Sequence, residues 1–162
     1  MATGAKDLLI ALQLGMIFAD LIFNLADVLL YADNMILLMI YILQGTNLVL
    51  CIIVLVISFS STFVFQAGLI SLLLKEFSPT LLVSVLYLIA SIALHVFTLG
   101  ARWRAPDYIP WTSEWLTGLY TLQRIMAIIF YAYYKRTAFL LTDPRLHSDN
   151  KWLRNQIRMQ PH

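Results

Sequence analysis

Four apolar stretches separated by short polar segments set the plan of this chain. The first runs from Leu8 to Leu30 and is interrupted only by Gln13, Asp20, Asn24 and Asp27. At ~1.5 Å per residue it makes about 35 Å of helix, enough to cross a ~30 Å hydrocarbon core. Tyr31-Ala32-Asp33 then reads as a tight turn, with Asp33 or Asn34 as N-cap of the next helix. A connection this short makes the first two helices antiparallel neighbours. No charge occurs between Asp33 and Lys75. A break at Gln44-Gly45-Thr46-Asn47, or at Ser58 to Thr62, would leave pieces too short to cross. The pattern therefore predicts one long second helix over 35–74, crossing once and extending beyond the bilayer, with Ser78-Pro79 as its stop.

Leu81 to Leu99 is the third span, ended by Gly100. A polar, aromatic loop from Arg102 to Trp111 follows, and Thr112 or Ser113 can cap a fourth helix from Trp115 to Tyr134. Trp111 and Trp115 lie at one end of that helix and Tyr131, Tyr133 and Tyr134 at the other, the placement of interfacial aromatic belts. The chain thus divides into a four-helix transmembrane domain over 1–134 (spans 8–30, 35–74, 81–99 and 115–134) and a soluble basic tail over 135–162. In the tail, Ser148 or Asp149 can cap a short helix through about Met159. Trp152, Leu153 and Ile157 fall on one side of it, flanked by Lys151, Arg154 and Arg158, a pattern suited to an anionic membrane surface or a partner groove, and equally to a solvated terminal helix.

Lys6, Lys75, Lys135, Arg136, Arg145, Lys151, Arg154 and Arg158 share one side of a four-span topology, and only Arg102 and Arg104 fall on the other. The positive-inside rule then puts both termini in the cytoplasm. Composition agrees with an all-α membrane protein. Hydrophobic residues are 60% of the 162 and charged residues 12%, against ~25% charged in an ordinary globular domain. The net charge of +2, with no long basic run, excludes a nucleic-acid binder and a disordered chain.

The chemistry-bearing residues lie inside the spans. Gln13, Asp20, Asn24 and Asp27 fall within a sector of about 60° on the first helix at ~100° per residue, so one face is polar and must meet the bundle interior. The second helix offers Gln44, Thr46 and Asn47, the third His95, and the fourth Thr117, Thr121 and Arg124. Counting residues from the helix ends puts Asp20 and Arg124 both near the midplane, which predicts an ion pair between them, and brings Asp27 and His95 to a common level. The first expected role of these groups is to bind helices together; a proton or ion pathway through Asp20 and Arg124, as in a small channel or transporter, is the alternative. Catalysis lacks a basis: there is one membrane histidine, no His-Glu-x-x-His, no Gly-x-Ser-x-Gly and no Cys–His pair in register. Cys51 is the single cysteine and sits in an apolar run, so no catalytic residue, metal site or cofactor is expected. His147 and His162 read as solvated tail residues, and the six methionines as gap-fillers.

An ordered set of short motifs resembles the transmembrane protein 138 family. It comprises Thr62-Phe63-Val64-Phe65-Gln66-Ala67-Gly68-Leu69, Ser91-Ile92-Ala93-Leu94-His95-Val96, Arg102-Trp103, Trp111-Thr112, Gln123-Arg124, Tyr134-Lys135-Arg136-Thr137-Ala138, Asp143-Pro144 and Trp152-Leu153-Arg154. Leu12-Gln13, Asp20 and Asn24 match in the first helix, whereas Asp27 departs from the family pattern. The first eight and last eight residues carry no likeness. The resemblance implies a small four-span protein of ciliary and vesicle or vacuole membranes, required for cilium biogenesis and for delivering membrane proteins to the cilium. Loss of such proteins is associated with ciliopathy, and no enzymatic activity or cofactor is known for them. The implied partners are the lipid bilayer and other ciliary or vesicle membrane proteins.

Overall fold

A computed structural model describes residues 3–62, 70–144 and 151–159. These form α1 (Thr3–Leu29), α2 (Asn34–Ser60), α3 (Ile70–Arg104), a 3₁₀ turn (Pro110–Thr112), α4 (Glu114–Leu141) and α5 (Lys151–Met159). The four long helices pack in cyclic order: α1 on α2, α2 on α3, α3 on α4 and α4 back on α1. Three of them, over Gly4–Leu29, Asn34–Ser60 and Leu74–Arg104, are long and apolar enough to cross a membrane. The end bearing the 105–113 connection is here the loop end, and the opposite one the tail end.

Each helix boundary has a local cause. The Asp33 carboxylate accepts hydrogen bonds from the backbone N–H groups of Met35 (2.8 Å) and Ile36 (3.4 Å), so it is Asp33 that caps α2. The other end of α2 corrects the expectation of a single helix over 35–74. The hydroxyls of Ser60, Ser61 and Thr62 donate back to the carbonyls of Ile57, Ser58 and Phe59 at 2.8–2.9 Å. Such bonds compete with the helical ladder, and α2 stops at Ser60 with Ser61 as its C-cap. The rest of the expected extension falls partly on 63–69, outside the described residues, and partly in α3.

Pro79 was expected to stop a helix, yet it lies inside α3. The turns before it are held by tertiary contacts. Phe77 is buried and meets Phe59 of α2 edge-on at 6.0 Å between ring centres. Just past the proline, the hydroxyls of Thr80 and Thr137 of α4 share a 2.7 Å hydrogen bond, and Ser84 donates to the Thr80 carbonyl. Proline is tolerated in such a helix when neighbouring groups support it.

Gly100 likewise does not end α3. The helix continues to Arg104 because Arg102, only 4% exposed, clamps it to the α1–α2 turn. The Arg102 Nε donates to Asn34 Oδ1 at 2.5 Å, a terminal nitrogen donates to the Ala32 carbonyl at 3.1 Å, and the guanidinium lies 4.5 Å above the Tyr31 ring. At the tail end, α4 runs past Tyr134 to Leu141. Thr137, Ala138 and Leu141 are buried there, so Lys135 to Leu141 are helix rather than the start of the tail. Arg136 and Glu76 add an exposed 3.1 Å ion pair between α4 and α3, a contact of small weight.

The apolar core lies mainly toward the tail end. Leu48, Cys51 and Leu55 of α2 meet Phe77 and Tyr87 of α3 and Ala127, Phe130, Tyr134 and Leu141 of α4. A smaller cluster of Leu37, Ile40, Tyr41 and Leu99 sits toward the loop end. Phe130 is at the centre of the first, with Tyr87 at 5.0 Å, Tyr134 at 5.4 Å and Tyr131 at 5.7 Å. Phe130→Ala should therefore lower the stability of the detergent-purified protein by about 3–5 kcal/mol. Ile128→Ala, on the exposed face of the same helix, should leave it nearly unchanged. Thermal unfolding of the two variants side by side checks this, and equal shifts would show that Phe130 is not a core residue.

Candidate functional site

Between the two apolar clusters lies a buried polar network to which all four long helices contribute. Its hub is the pair Asp20 and Asn24, one turn apart on α1. The Asp20 carboxylate accepts from Asn24 Nδ2 (3.1 Å), from Gln44 Nε2 of α2 (3.1 Å), from the Tyr87 hydroxyl of α3 (2.8 Å) and from the Tyr131 hydroxyl of α4. The Asn24 carbonyl oxygen accepts from Gln44 (3.0 Å), from Gln123 (3.2 Å) and from Arg124. Gln123 Nε2 also reaches the Tyr87 hydroxyl and Ser91 Oγ, each at 3.2 Å. Asp20, Gln44 and Gln123 are essentially inaccessible to solvent.

Three buried glutamines turn their amide N–H groups to these bonds: Gln44 to Asp20 and Asn24, Gln123 to Asn24, Tyr87 and Ser91, and Gln13, outside the hub, to Ser58. Their carbonyl oxygens take no hydrogen bond among the described residues. An unmade bond to a buried acceptor costs about 1–3 kcal/mol. Gln44 is turned this way because the Asp20 carboxylate is the stronger claimant on a donor.

The expected Asp20–Arg124 ion pair is not formed. Arg124 instead donates to Asp27 Oδ2 at 2.9 Å, to Asn24, and to the Tyr120 hydroxyl at 2.5 Å. Its guanidinium lies 4.4 Å above the Tyr120 ring. The reason is the direction of helical side chains, which lean toward the N-terminus of their own helix. α4 begins at the loop end, so Arg124 leans that way. α1 begins at the tail end, so Asp20 leans the opposite way and the two diverge. The antiparallel register is shifted by one heptad, matching Arg124 with Asp27 and Tyr131 with Asp20.

The other residues singled out from sequence separate into several places. Asp27 also accepts from the Tyr41 hydroxyl at 2.9 Å. His95 does not reach Asp27 directly; it stacks on the Tyr41 ring, with 3.8 Å between ring centres and 9° between planes. Gln13 lies toward the tail end, where it donates to Ser58 Oγ at 3.4 Å. Asn47 donates to the Met16 carbonyl at 3.0 Å and pins α2 to α1 outside the hub. Thr121 is exposed and bonds the Thr117 carbonyl of its own helix, so it stands outside the network. Cys51 is buried, and its carbonyl accepts from the Tyr134 hydroxyl at 2.9 Å.

The residues that sequence reasoning missed are Tyr41, Tyr87, Ser91, Tyr120, Gln123 and Tyr131. Tyr131 and Tyr134 were placed in an interfacial belt, whereas their hydroxyls point inward to Asp20 and to the Cys51 carbonyl. The available signal was a set of hydroxyl and amide groups within apolar helices, each of which needs an internal partner. Among the described residues, no group of three or more His, Cys, Asp or Glu could hold a metal ion. The arrangement binds helices: every hub bond crosses between elements or braces one that does. In the tail, α5 spans Lys151–Met159 with Lys151, Arg154 and Arg158 exposed. Ser148, Asp149, His147 and His162 lie outside the described residues, as do the side chains of Trp152, Leu153 and Ile157.

A family model for transmembrane protein 138 matches residues 37–156. Curated relatives named Transmembrane protein 138 come from Mus musculus, Xenopus tropicalis and Danio rerio. Each is 37% identical to this chain, over 96%, 95% and 94% of its length and 95%, 94% and 94% of their own. No solved structure matches the chain.

The hub geometry predicts a specific coupling. Arg124→Ala should destabilise the purified protein by about 3–5 kcal/mol, because Asp27 is left buried without its cation. The double change Asp27→Asn with Arg124→Gln should recover part of that loss. A cycle built on Asp20 and Arg124 should show weaker coupling, since the two meet only through Asn24. Thermal unfolding in detergent gives both cycles, and stronger coupling through Asp20 would overturn the assignment.

Proposed function

The chain belongs to the transmembrane protein 138 family, and from that premise we propose that it is a non-enzymatic, multi-pass membrane protein serving cilium assembly and the delivery of membrane proteins to the cilium. The ciliary part rests on the motif resemblance from Thr62 to Arg154 and on family membership. The observation that carries the non-enzymatic part is the hub itself. Its ionisable and amide groups are spent on bonds between helices, which leaves the bundle interior as a scaffold rather than a reaction site. The alternative of a small channel or transporter acting through Asp20 and Arg124 gains nothing from this arrangement, since both groups are locked to neighbours at each end.

In this reading α4, at ~1.5 Å per residue about 42 Å long, is the fourth span. The asymmetry of Lys and Arg puts both termini in the cytoplasm, and the protein resides in ciliary and associated vesicle or vacuole membranes. The exposed basic residues of α5 face anionic lipid or a cytoplasmic partner. Each contributes about 1 kcal/mol near an anionic surface.

Two measurements test the reading. In ciliated cells lacking this protein, cilium number should fall and be restored by the wild-type chain; unchanged cilia would remove the proposal. In a Cys51→Ser background, cysteines placed at Ala105 and Asn155 should be labelled by an impermeant reagent from opposite sides of the membrane. Labelling from one side would contradict four spans. A fluorophore at Asn155 in phosphatidylserine vesicles should also be shielded from an aqueous quencher, and lose that shielding in high salt. Equal shielding in neutral vesicles would show that charge does not hold the tail.

A further inference from the structure

The two buried carboxylates of α1 are not equally served. An ionised carboxylate has about four acceptor sites. Asp20 fills as many from protein, with donors on all four long helices. Asp27 is just as enclosed, at 6% exposure. Among the described residues it accepts only from the Tyr41 hydroxyl and from Arg124, each at 2.9 Å. In an apolar interior its remaining sites still need donors.

A cavity of about 20 Å³ lies against this carboxylate. Every long helix gives it a wall: Asp27 from α1, Tyr41 from α2, Thr98 from α3 and Tyr120 from α4. Tyr31 of the α1–α2 turn and Trp111 of the 3₁₀ turn complete its polar lining, which carries it toward the loop end. Trp111 packs edge-on against Tyr120, with 4.8 Å between ring centres. The Tyr120 hydroxyl accepts from Arg124, and its own proton has no acceptor among the described residues.

Size and charge together select the occupant. About 10–15 Å³ is enough for one water, provided that ~2–4 polar partners surround it. The spare sites of Asp27 can accept from such a water, and the Tyr120 hydroxyl can donate to it. A cation is not called for, because Arg124 already matches the charge of Asp27 and the Arg102 guanidinium stands over the Tyr31 ring. An anion would face the carboxylate. A hydrocarbon group would leave the spare sites unfilled.

We propose that this cavity is a site for one ordered water, which donates to Asp27 and accepts from Tyr120. The polar network then has a dry centre at Asp20, completed by protein, and a wet end at Asp27, completed by solvent. Asp27, not Asp20, is the carboxylate through which the solution at the loop end touches the bundle. The site is independent of the ciliary role and of the direction in which the helices cross the membrane.

The test uses hydroxyl radicals, which an X-ray pulse generates from water bound inside the full-length protein in detergent. They oxidise the side chains beside that water, and mass spectrometry of the digest locates the oxidised residues. Tyr41 and Tyr87 have the same intrinsic reactivity, and both are nearly closed to bulk solvent, at 5% and 0% exposure. Tyr41 should be oxidised several-fold faster than Tyr87. Thr98→Leu, which fills the cavity, should bring Tyr41 down to the Tyr87 rate, whereas Thr98→Val, which keeps the volume, should retain most of the difference. Should Thr98→Leu not fold, Val28→Ile on the same wall makes the same comparison. Equal oxidation of Tyr41 and Tyr87 in the wild-type protein would overturn the proposal, as would undiminished Tyr41 oxidation in a filled variant that keeps the wild-type unfolding temperature. So would Tyr41 oxidation that changes when sodium chloride is replaced by choline chloride, since a cation would then be the occupant.

Discussion

A carboxylate in an apolar interior has no water to turn to, so every hydrogen bond it needs must come from the protein. Asp20 imposes that constraint here, and much of the bundle's geometry follows from it. Its donors come from one residue on each of the other three helices, together with Asn24 on its own. Four helices meeting at one side chain leave little freedom in rotation or depth. Sliding any helix by one residue would turn its donor away by ~100° and move it by ~1.5 Å. The apolar packing above and below tolerates small slips far better than hydrogen bonds do. The hub is therefore best understood as what fixes register, while the aromatic cluster around Phe130 supplies close packing.

Much of this was legible in the sequence, and the gaps have physical causes. The polar sector of α1 was readable because helical periodicity is rigid over seven or fourteen residues. The Asp33 cap and the tight first turn were readable because they are local. Helix ends that depend on tertiary contacts were not: Phe77 against Phe59 carries α3 through Pro79, and Arg102 on Asn34 carries it past Gly100. Without those contacts the local signals at Pro79 and Gly100 are correct ones. The second helix was overextended for the opposite reason, since a run of hydroxyl groups can end a helix without any charge or proline.

The pairing of Arg124 illustrates a further limit. Counting residues from each helix end gives the depth of a Cα, but interactions are made by side-chain tips. In an antiparallel pair the two side chains lean in opposite directions along the membrane normal. Equal depth at the backbone then means separation at the tips, and partners lie roughly a heptad out of step. Arg124 with Asp27 and Tyr131 with Asp20 obey that rule on one helix pair. It also explains why Tyr131, read as a belt residue from its place near a helix end, is an interior donor.

The same physics distributes stability unevenly. In lipid, apolar side chains gain little by leaving the hydrocarbon for one another, so helices associate through packing and polar contacts. Within their apolar windows α2 and α3 are each 33% buried, but α1 only 17%. It presents Leu12, Phe18, Leu21, Ile22 and Leu25 outward and has little packing surface to offer. What holds it are Gln13 on Ser58, the Met16 carbonyl on Asn47, Asp20 and Asn24 in the hub, and Asp27 on Tyr41 and Arg124. α3 and α4, by contrast, are joined by the Tyr87–Phe130 stack and the Thr80–Thr137 bond as well as by Gln123. Removing the polar network would leave α3 and α4 with most of their contacts, and α1 with only the apolar packing of Met16, Ile17, Phe23 and Ala26 on its neighbours. The acidic face of the first helix is thus a large part of its attachment, and the helix that carries both buried carboxylates, Asp20 and Asp27, is the one whose place in the membrane depends most on its polar bonds.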